Sequence, residues 1–130
     1  MPTRVSKPTI RAVNQRPHVL VVDDEMSIRE VLAEGLESFG YSVVQAGNAA
    51  EAFELVQRGG VDLVLSDIEM PDETGLSLLK RIKAHDADVD VIMVTGVVDF
   101  GTAVGTIRQG ASDYVSKPFN LEEVRIVAER

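Results

Sequence analysis

The chain has 130 residues, a hydrophobic fraction of 45% and no cysteine, so we expect one domain with a substantial core and without disulfides or thiolate metal sites. The net charge is -8, yet residues 1–17 carry four basic side chains and no acidic one, which leaves -12 on the rest. Such an acidic body argues against nucleic-acid binding, and the sequence contains neither a membrane-spanning apolar run nor a signal peptide. We expect a cytoplasmic protein without a membrane partner, in which a disordered leader at residues 1–17 precedes a folded domain at residues 18–130.

Two kinds of apolar pattern alternate from residue 18 onward. Continuous apolar runs predict five strands, at residues 18–24, 41–46, 61–67, 89–96 and 112–116. Apolar residues at helical spacing predict five helices, at residues 26–39, between Asn48 and Gly59, at residues 74–85, between Asp99 and Gly110, and after Asn120. This alternation predicts an α/β fold with a doubly wound parallel sheet and helices on both faces.

Local signals place several side chains within these helices. We expect Asn48 to cap the second helix, with Glu51 as its capping-box partner. Val31 and Ile107 belong to the predicted inner stripes of the first and fourth helices. The last helix reaches residue 130 without a stop signal, so we expect it to be truncated and the chain to be part of a longer protein.

Polar residues stand where four of the predicted strands end. Asp23 and Asp24 close the first strand, Asp67 the third and Thr95 the fourth, and Lys117 follows the fifth. The carboxyl ends of parallel strands meet at one edge of a sheet, where ligands of open α/β folds bind. We therefore expect three carboxylates, one hydroxyl and one ammonium to converge, although they are far apart in the sequence.

Three neighbouring carboxylates stay ionised at neutral pH only if a cation compensates their repulsion. Oxygen ligands without histidine or cysteine favour Mg²⁺, which keeps several waters and so leaves room for phosphate oxygens. One carboxylate can then act as a nucleophile and form an aspartyl phosphate. Lys117 would neutralise a phosphate oxygen, and Thr95 could donate its hydroxyl to the same group.

Each of these residues also has a structural interpretation. Asp23 and Asp24 can cap a helix, Asp67 can form a turn, Thr95 suits any strand and Lys117 any surface. Likewise Tyr114 could belong to the core, and His18 and His85 lie away from the carboxyl ends of strands, so we treat them as structural or solvent-facing. The conjunction of four such groups at the strand ends favours a functional site.

The sequence resembles the receiver domain of two-component response regulators. The matching segments are VVDDE, DIEMPDETG, VTG and TAVGTIRQGASDYVSKPF, in this order, and the similarity extends from about His18 to Arg130. The last segment is most similar to receivers of the nitrogen-regulator type. The resemblance implies a flavodoxin-like fold with five parallel strands in the order 2-1-3-4-5.

The resemblance also implies an acceptor and its metal ligands. Asp67 would be the phosphoacceptor and would contact Mg²⁺. Asp24 would bind the ion directly, Asp23 partly through water, and the backbone carbonyl of Glu69 would supply a further ligand. The phosphoryl group would come from the phosphohistidine of a histidine kinase or a phosphotransfer protein.

Further residues would transmit the signal. Thr95 and Lys117 would contact the phosphoryl group, Tyr114 would be the switch aromatic that turns inward when Thr95 moves, and the Lys117–Pro118 peptide would be cis. The fourth helix and the last strand would change conformation, and glycines at 101 and 105 suggest that this helix is loose. Output would pass to an effector domain or partner outside the chain, and homodimers could form through the last two helices.

Two other functions fit parts of the pattern. A Mg²⁺-dependent phosphatase of the haloacid-dehalogenase type also uses a strand-end aspartate, but it requires a second aspartate where this chain has Glu69, and it has a lid domain. A receiver-like module that serves only assembly would not need the intact acids. A P-loop enzyme is excluded, because no G-x-x-x-x-G-K-[ST] segment occurs.

Overall fold

The computed structural model describes residues 17–96, 100–117 and 120–129, and within them strands and helices alternate strictly. The strands are β1 (His18–Val22), β2 (Ser42–Ala46), β3 (Leu63–Asp67), β4 (Asp90–Thr95) and β5 (Asp113–Ser116). The helices are α1 (Met26–Ser38), α2 (Ala49–Gln57), α3 (Gly75–His85), α4 (Phe100–Arg108) and α5 (Leu121–Glu129). The predicted leader at 1–17 falls almost entirely outside the described residues.

The five strands form one parallel sheet in the order β2-β1-β3-β4-β5, which confirms the predicted doubly wound fold and its strand order. One face of the sheet packs against α2 and α3, whose buried side chains include Ala52, Leu78 and Ile82. The opposite face packs against α1 and α5 through residues such as Leu36 and Val124. The sheet is thus covered on both sides, and every residue of β3 is buried.

Two residues of the predicted inner stripes lie at the surface instead. Val31 is 49% exposed and Ile107 is 44% exposed, so the prediction that both point inward is wrong. In α1 the buried face includes Gly35, where a Cβ atom would lie 2.6 Å from Leu121 Cδ2 of α5. Gly35 thus lets the Leu121 side chain pack directly against α1. Among the described side chains of α4, the buried one is that of Thr106.

The amino end of α2 differs from a standard capping box. Asn48 Oδ1 accepts a hydrogen bond from the Glu51 backbone N–H at 2.8 Å, as predicted. The Glu51 carboxylate accepts from the N–H of Gly47 at 2.7 Å instead of from that of Asn48. None of the helices within the described ranges is both long and apolar enough to cross a bilayer.

Candidate functional site

The register of the sheet brings the ends of three strands together. Val22 of β1 pairs with Ser66 of β3, and Asp67 pairs with Val94 of β4. β1 ends at Val22, so Asp23 and Asp24 lie in the loop that follows it and not within the strand as predicted. The first residue of that loop therefore stands beside Asp67.

Three carboxylates gather at this edge of the sheet. Asp23, Asp24 and Asp67 each offer an oxygen atom within 4.8 Å of the other two. Asp23 and Asp67 are buried, whereas Asp24 is exposed to solvent. Lys117 Nζ donates to Asp23 Oδ2 at 2.9 Å and to Asp67 Oδ2 at 3.4 Å. The structure thus brings together four of the predicted residues, from three separate segments, in one pocket.

Asp23 is held by its own loop and by α1. Its Oδ1 atom accepts from the N–H of Glu25 at 2.9 Å, which closes a short turn after β1. The guanidinium of Arg29 donates to the carbonyl oxygen of Asp23 at 2.7 Å. Arg29 was not predicted as a site residue, because an arginine at the fourth position of a helical pattern carries no sequence signal of a contact with the preceding loop.

Asp67 is fixed by close backbone packing. Its Oδ1 atom accepts from the N–H of Glu69 at 3.3 Å, and the Ser66 hydroxyl donates to its carbonyl oxygen at 3.0 Å. A Cβ atom on Gly75 would lie 2.2 Å from that carbonyl and 2.8 Å from Ile68 Cα. Gly75 thus allows the start of α3 to pack against the end of β3, which explains why a glycine follows the loop.

The pocket changes the pKa of Asp67 and that of Lys117. Burial raises the pKa of Asp67; the positive charge of Lys117 opposes this shift and the negative charge of Asp23 adds to it. Burial alone would lower the pKa of Lys117, but its hydrogen bond to Asp23 and the charges of Asp67 and Asp23 outweigh burial and raise it. The ammonium therefore stays protonated at neutral pH and compensates part of the carboxylate charge.

The donor set fits a hard divalent cation. All three candidate ligands are carboxylate oxygens, and the one other charged group within hydrogen-bond distance in the described residues is the Lys117 ammonium. Their oxygen atoms lie within 4.8 Å of one another, so these three residues would together hold one Mg²⁺ ion, with water as its further ligands.

The remaining predicted residues stand as follows. Thr95 ends β4 and pairs with Ser116, but its side chain lies outside the described residues, as does Pro118 of the predicted cis peptide. Tyr114 is 39% exposed on β5, so its alternative interpretation as a core residue is wrong. The metal contact of the Glu69 carbonyl stays a prediction. Among the described residues, no metal-binding cluster contains a histidine.

The fold and the pocket together define a doubly wound α/β domain with an acidic, cation-compensated site at the carboxyl edge of its sheet. Residues 19–129 match the family described as the response regulator receiver domain. The chain belongs to this family, whose members are signalling domains of two-component systems.

Relatives support the nitrogen-regulator subtype that the sequence suggested. The DNA-binding transcriptional regulator NtrC of Escherichia coli K12 is 42% identical over 116 residues, which cover 89% of this chain and 25% of the relative. NtrX from Brucella abortus is 36% identical with a TM-score of 0.83, over 89% of this chain and 27% of that one. The chain thus spans about a quarter of the length of these regulators.

A further similar structure bears on the chemistry. It is a response regulator protein from Burkholderia pseudomallei, solved with a phosphorylated aspartic acid, a calcium ion and citrate. It is 32% identical with a TM-score of 0.80, and the match covers 85% of this chain and 65% of that one.

Proposed function

We propose that the domain is a switch operated by phosphorylation of Asp67, with Mg²⁺ in the acidic pocket. The observation that carries this proposal is the convergence of Asp23, Asp24, Asp67 and Lys117 from three separate segments of the chain. A pocket of this composition can bring an anionic phosphodonor to a carboxylate nucleophile, which would otherwise repel it. The phosphorylated aspartic acid in the related Burkholderia protein supports the same chemistry.

In the proposed reaction, a carboxylate oxygen of Asp67 attacks the phosphorus atom of a phosphohistidine. The new O–P bond forms as the P–N bond breaks, and the electron pair of that bond returns to the imidazole, which takes a proton from water. The product is an acyl phosphate on Asp67. The donor is a histidine kinase or a phosphotransfer protein, as the family resemblance implies.

The residues around Asp67 would have separate roles in binding the metal ion and the phosphoryl group. Asp24, Asp23 and the Glu69 carbonyl would hold Mg²⁺, which neutralises charge on the transferring phosphoryl group. Lys117 would move its hydrogen bonds from the two carboxylates to a phosphoryl oxygen, since both present contacts lie within 3.4 Å of its ammonium. Thr95, at the end of the neighbouring strand, would donate its hydroxyl to the same group.

The signal would then reach the face formed by α4 and β5. Tyr114 would turn inward as Thr95 moves, and α4 would change its packing. The output would lie in a part of the protein outside this chain, since the related regulators are about four times as long. The domain would form a homodimer through its last two helices. It would lie in the cytoplasm and would not itself bind nucleic acid.

The test uses a small phosphodonor. Acetyl phosphate with Mg²⁺ should add one acid-stable, base-labile phosphoryl group, visible as a single mass increment, and Asp67→Asn should abolish it. The matched control is Asp62→Asn, because Asp62 lies on the preceding loop and accepts from the His18 N–H, away from the pocket. Labelling that persists in Asp67→Asn would contradict the proposal, and multiple turnover of many phosphoesters would favour the phosphatase.

A further inference from the structure

Asp72, in the loop between β3 and α3, makes a bidentate contact with another helix. Its Oδ1 atom accepts from the N–H of Ala49 at 3.1 Å, and its Oδ2 atom accepts from the N–H of Ala50 at 3.0 Å. These are the first two residues of α2, 23 and 22 positions earlier in the chain. A carboxylate from one loop therefore bonds to the amino end of a helix that follows a different strand.

This contact is not needed to replace a missing local cap. Asn48 already accepts from the N–H of Glu51, so the local cap of α2 is present. Asp72 satisfies the two first-turn N–H groups that Asn48 leaves open, and the positive end of the helix favours its charge. Although desolvation opposes ionisation, the backbone hydrogen bonds lower the pKa of Asp72, which keeps the acceptor ionised at neutral pH.

The loop that Asp72 anchors begins directly after Asp67, the last residue of β3, and carries Glu69. At its other end, the Gly75 N–H donates to the carbonyl of Ile68 at 2.6 Å. The loop is thus closed on itself by Gly75 and tied to α2 by Asp72. Asp72 is exposed and belongs to no part of the acidic cluster, so any effect on the pocket acts through the loop backbone.

We infer that Asp72 is a positioning residue for the phosphorylation of Asp67: by tying the β3–α3 loop to the amino end of α2, it holds the Glu69 backbone at the rim of the metal pocket. The inference rests on the proposed function for its biological meaning, and it concerns the affinity of the pocket for Mg²⁺. Residues that orient metal ligands from outside the ligand shell commonly change metal affinity by about 10-fold or more when they are removed.

The experiment titrates Mg²⁺ into the ¹⁵N-labelled full chain and follows the amide shifts of residues 23–25 and 67–70. We expect Asp72→Ala to raise the dissociation constant by about 10-fold. Asn48→Ala is the matched control, since it removes a hydrogen bond from the same helix end without touching the loop. Both variants should lower the thermal midpoint, but Asn48→Ala should keep the wild-type affinity for Mg²⁺.

Equal Mg²⁺ affinity in Asp72→Ala and the wild type would overturn the inference, as would an equal loss of affinity in Asn48→Ala. If Asp72→Ala does not fold, Asp72→Asn replaces it, because its amide oxygen can accept only one of the two hydrogen bonds well and should give an intermediate dissociation constant. A wild type that binds Mg²⁺ but accepts no phosphoryl group would refute the proposed function and the role in phosphorylation, and would leave the inferred effect of Asp72 on Mg²⁺ affinity intact. A wild type that binds no Mg²⁺ would refute both.

Discussion

At the scale of single residues, Asp67 illustrates how a functional group can lower the stability of the fold that holds it. Burial raises the pKa of Asp67, and the neighbouring charge of Asp23 adds to this shift in spite of Lys117. A carboxyl group with a higher pKa in the folded state than in the unfolded state stabilises the fold when it is protonated. That contribution is lost as the pH rises through the folded-state pKa, so the ionised form carries a penalty at neutral pH.

We therefore expect Asp67→Asn to be more stable than the wild type at pH 7 in Mg²⁺-free buffer. The advantage should shrink as the pH falls through the folded-state pKa of Asp67, because the wild-type carboxyl then becomes neutral as well. Urea unfolding at several pH values measures the difference. Glu30→Gln, an exposed position on α1, is the control and should show no comparable gain. A loss of stability in Asp67→Asn at pH 7 would contradict this explanation.

Gly75 is a second residue whose role follows from local geometry. Its missing side chain allows α3 to start against the carbonyl of Asp67, where a Cβ atom would be only 2.2 Å away. Because the obstacle is backbone, Gly75→Ala must displace the loop, and we expect a loss of about 1–3 kcal/mol in the free energy of unfolding. Phosphorylation by acetyl phosphate should also slow. An unchanged free energy of unfolding would show that the loop can move aside without destabilising the fold.

At the scale of elements, α4 contains a glycine without a packing reason. Among the described residues, no atom outside the local helix backbone and the two chain neighbours lies within 4 Å of the position that a Cβ atom on Gly105 would take, so an alanine fits there without a clash. Glycine in a helix interior costs about 0.5–1 kcal/mol relative to alanine. The element therefore keeps a residue that weakens it, which agrees with the hypothesis that α4 is loose and reorganises on phosphorylation.

Gly105→Ala should raise the free energy of unfolding by about 0.5–1 kcal/mol and slow amide exchange in α4. It should also reduce the change in exchange that beryllofluoride produces in α4 of the wild type, because a more stable helix resists rearrangement. Hydrogen exchange with and without beryllofluoride measures both effects. If wild-type α4 already exchanges as slowly as α1 in both states, the hypothesis of a loose helix is wrong.

At the scale of the whole molecule, the acidic pocket links metal binding to folding. Two of the three carboxylates come from the loop after β1 and the third from the last residue of β3, so the site exists only in the folded chain. A ligand that binds only the folded state stabilises it by about 2.7 kcal/mol at 100 times its dissociation constant. We expect Mg²⁺ to raise the thermal midpoint, and a chelator to reverse the gain.

Asp24→Asn tests this linkage without disturbing the core, because Asp24 is exposed while its two partners are buried. The variant should fold normally and lose most of the stabilisation by Mg²⁺. Calorimetric scans of both proteins over a range of Mg²⁺ concentrations provide the measurement. If Mg²⁺ raises the thermal midpoint equally in the wild type and the variant, the ion binds at a site that does not include Asp24.

The elements were predictable because their signals are local. Apolar runs and helical spacing placed all ten elements to within a few residues, and Asn48 was recognised as a cap from its distance to Glu51. The exposure of Val31 and Ile107 could not be predicted in the same way. Both are apolar and correctly spaced, yet Gly35 and Thr106 are buried in their helices instead, and this choice depends on packing between elements.

The sequence by itself determined the class of fold and the chemical types that meet at the carboxyl edge, since a parallel sheet sends all its strand ends to one side. It named Asp23, Asp24, Asp67 and Lys117 from their positions after apolar runs. Only the tertiary structure decided which atoms are in contact. Lys117 bonds to two acids, Gly75 packs against the end of β3, and Asp72 accepts a hydrogen bond from the amino end of α2. Contacts between distant segments depend on register, loop path and close packing, and no local pattern encodes them.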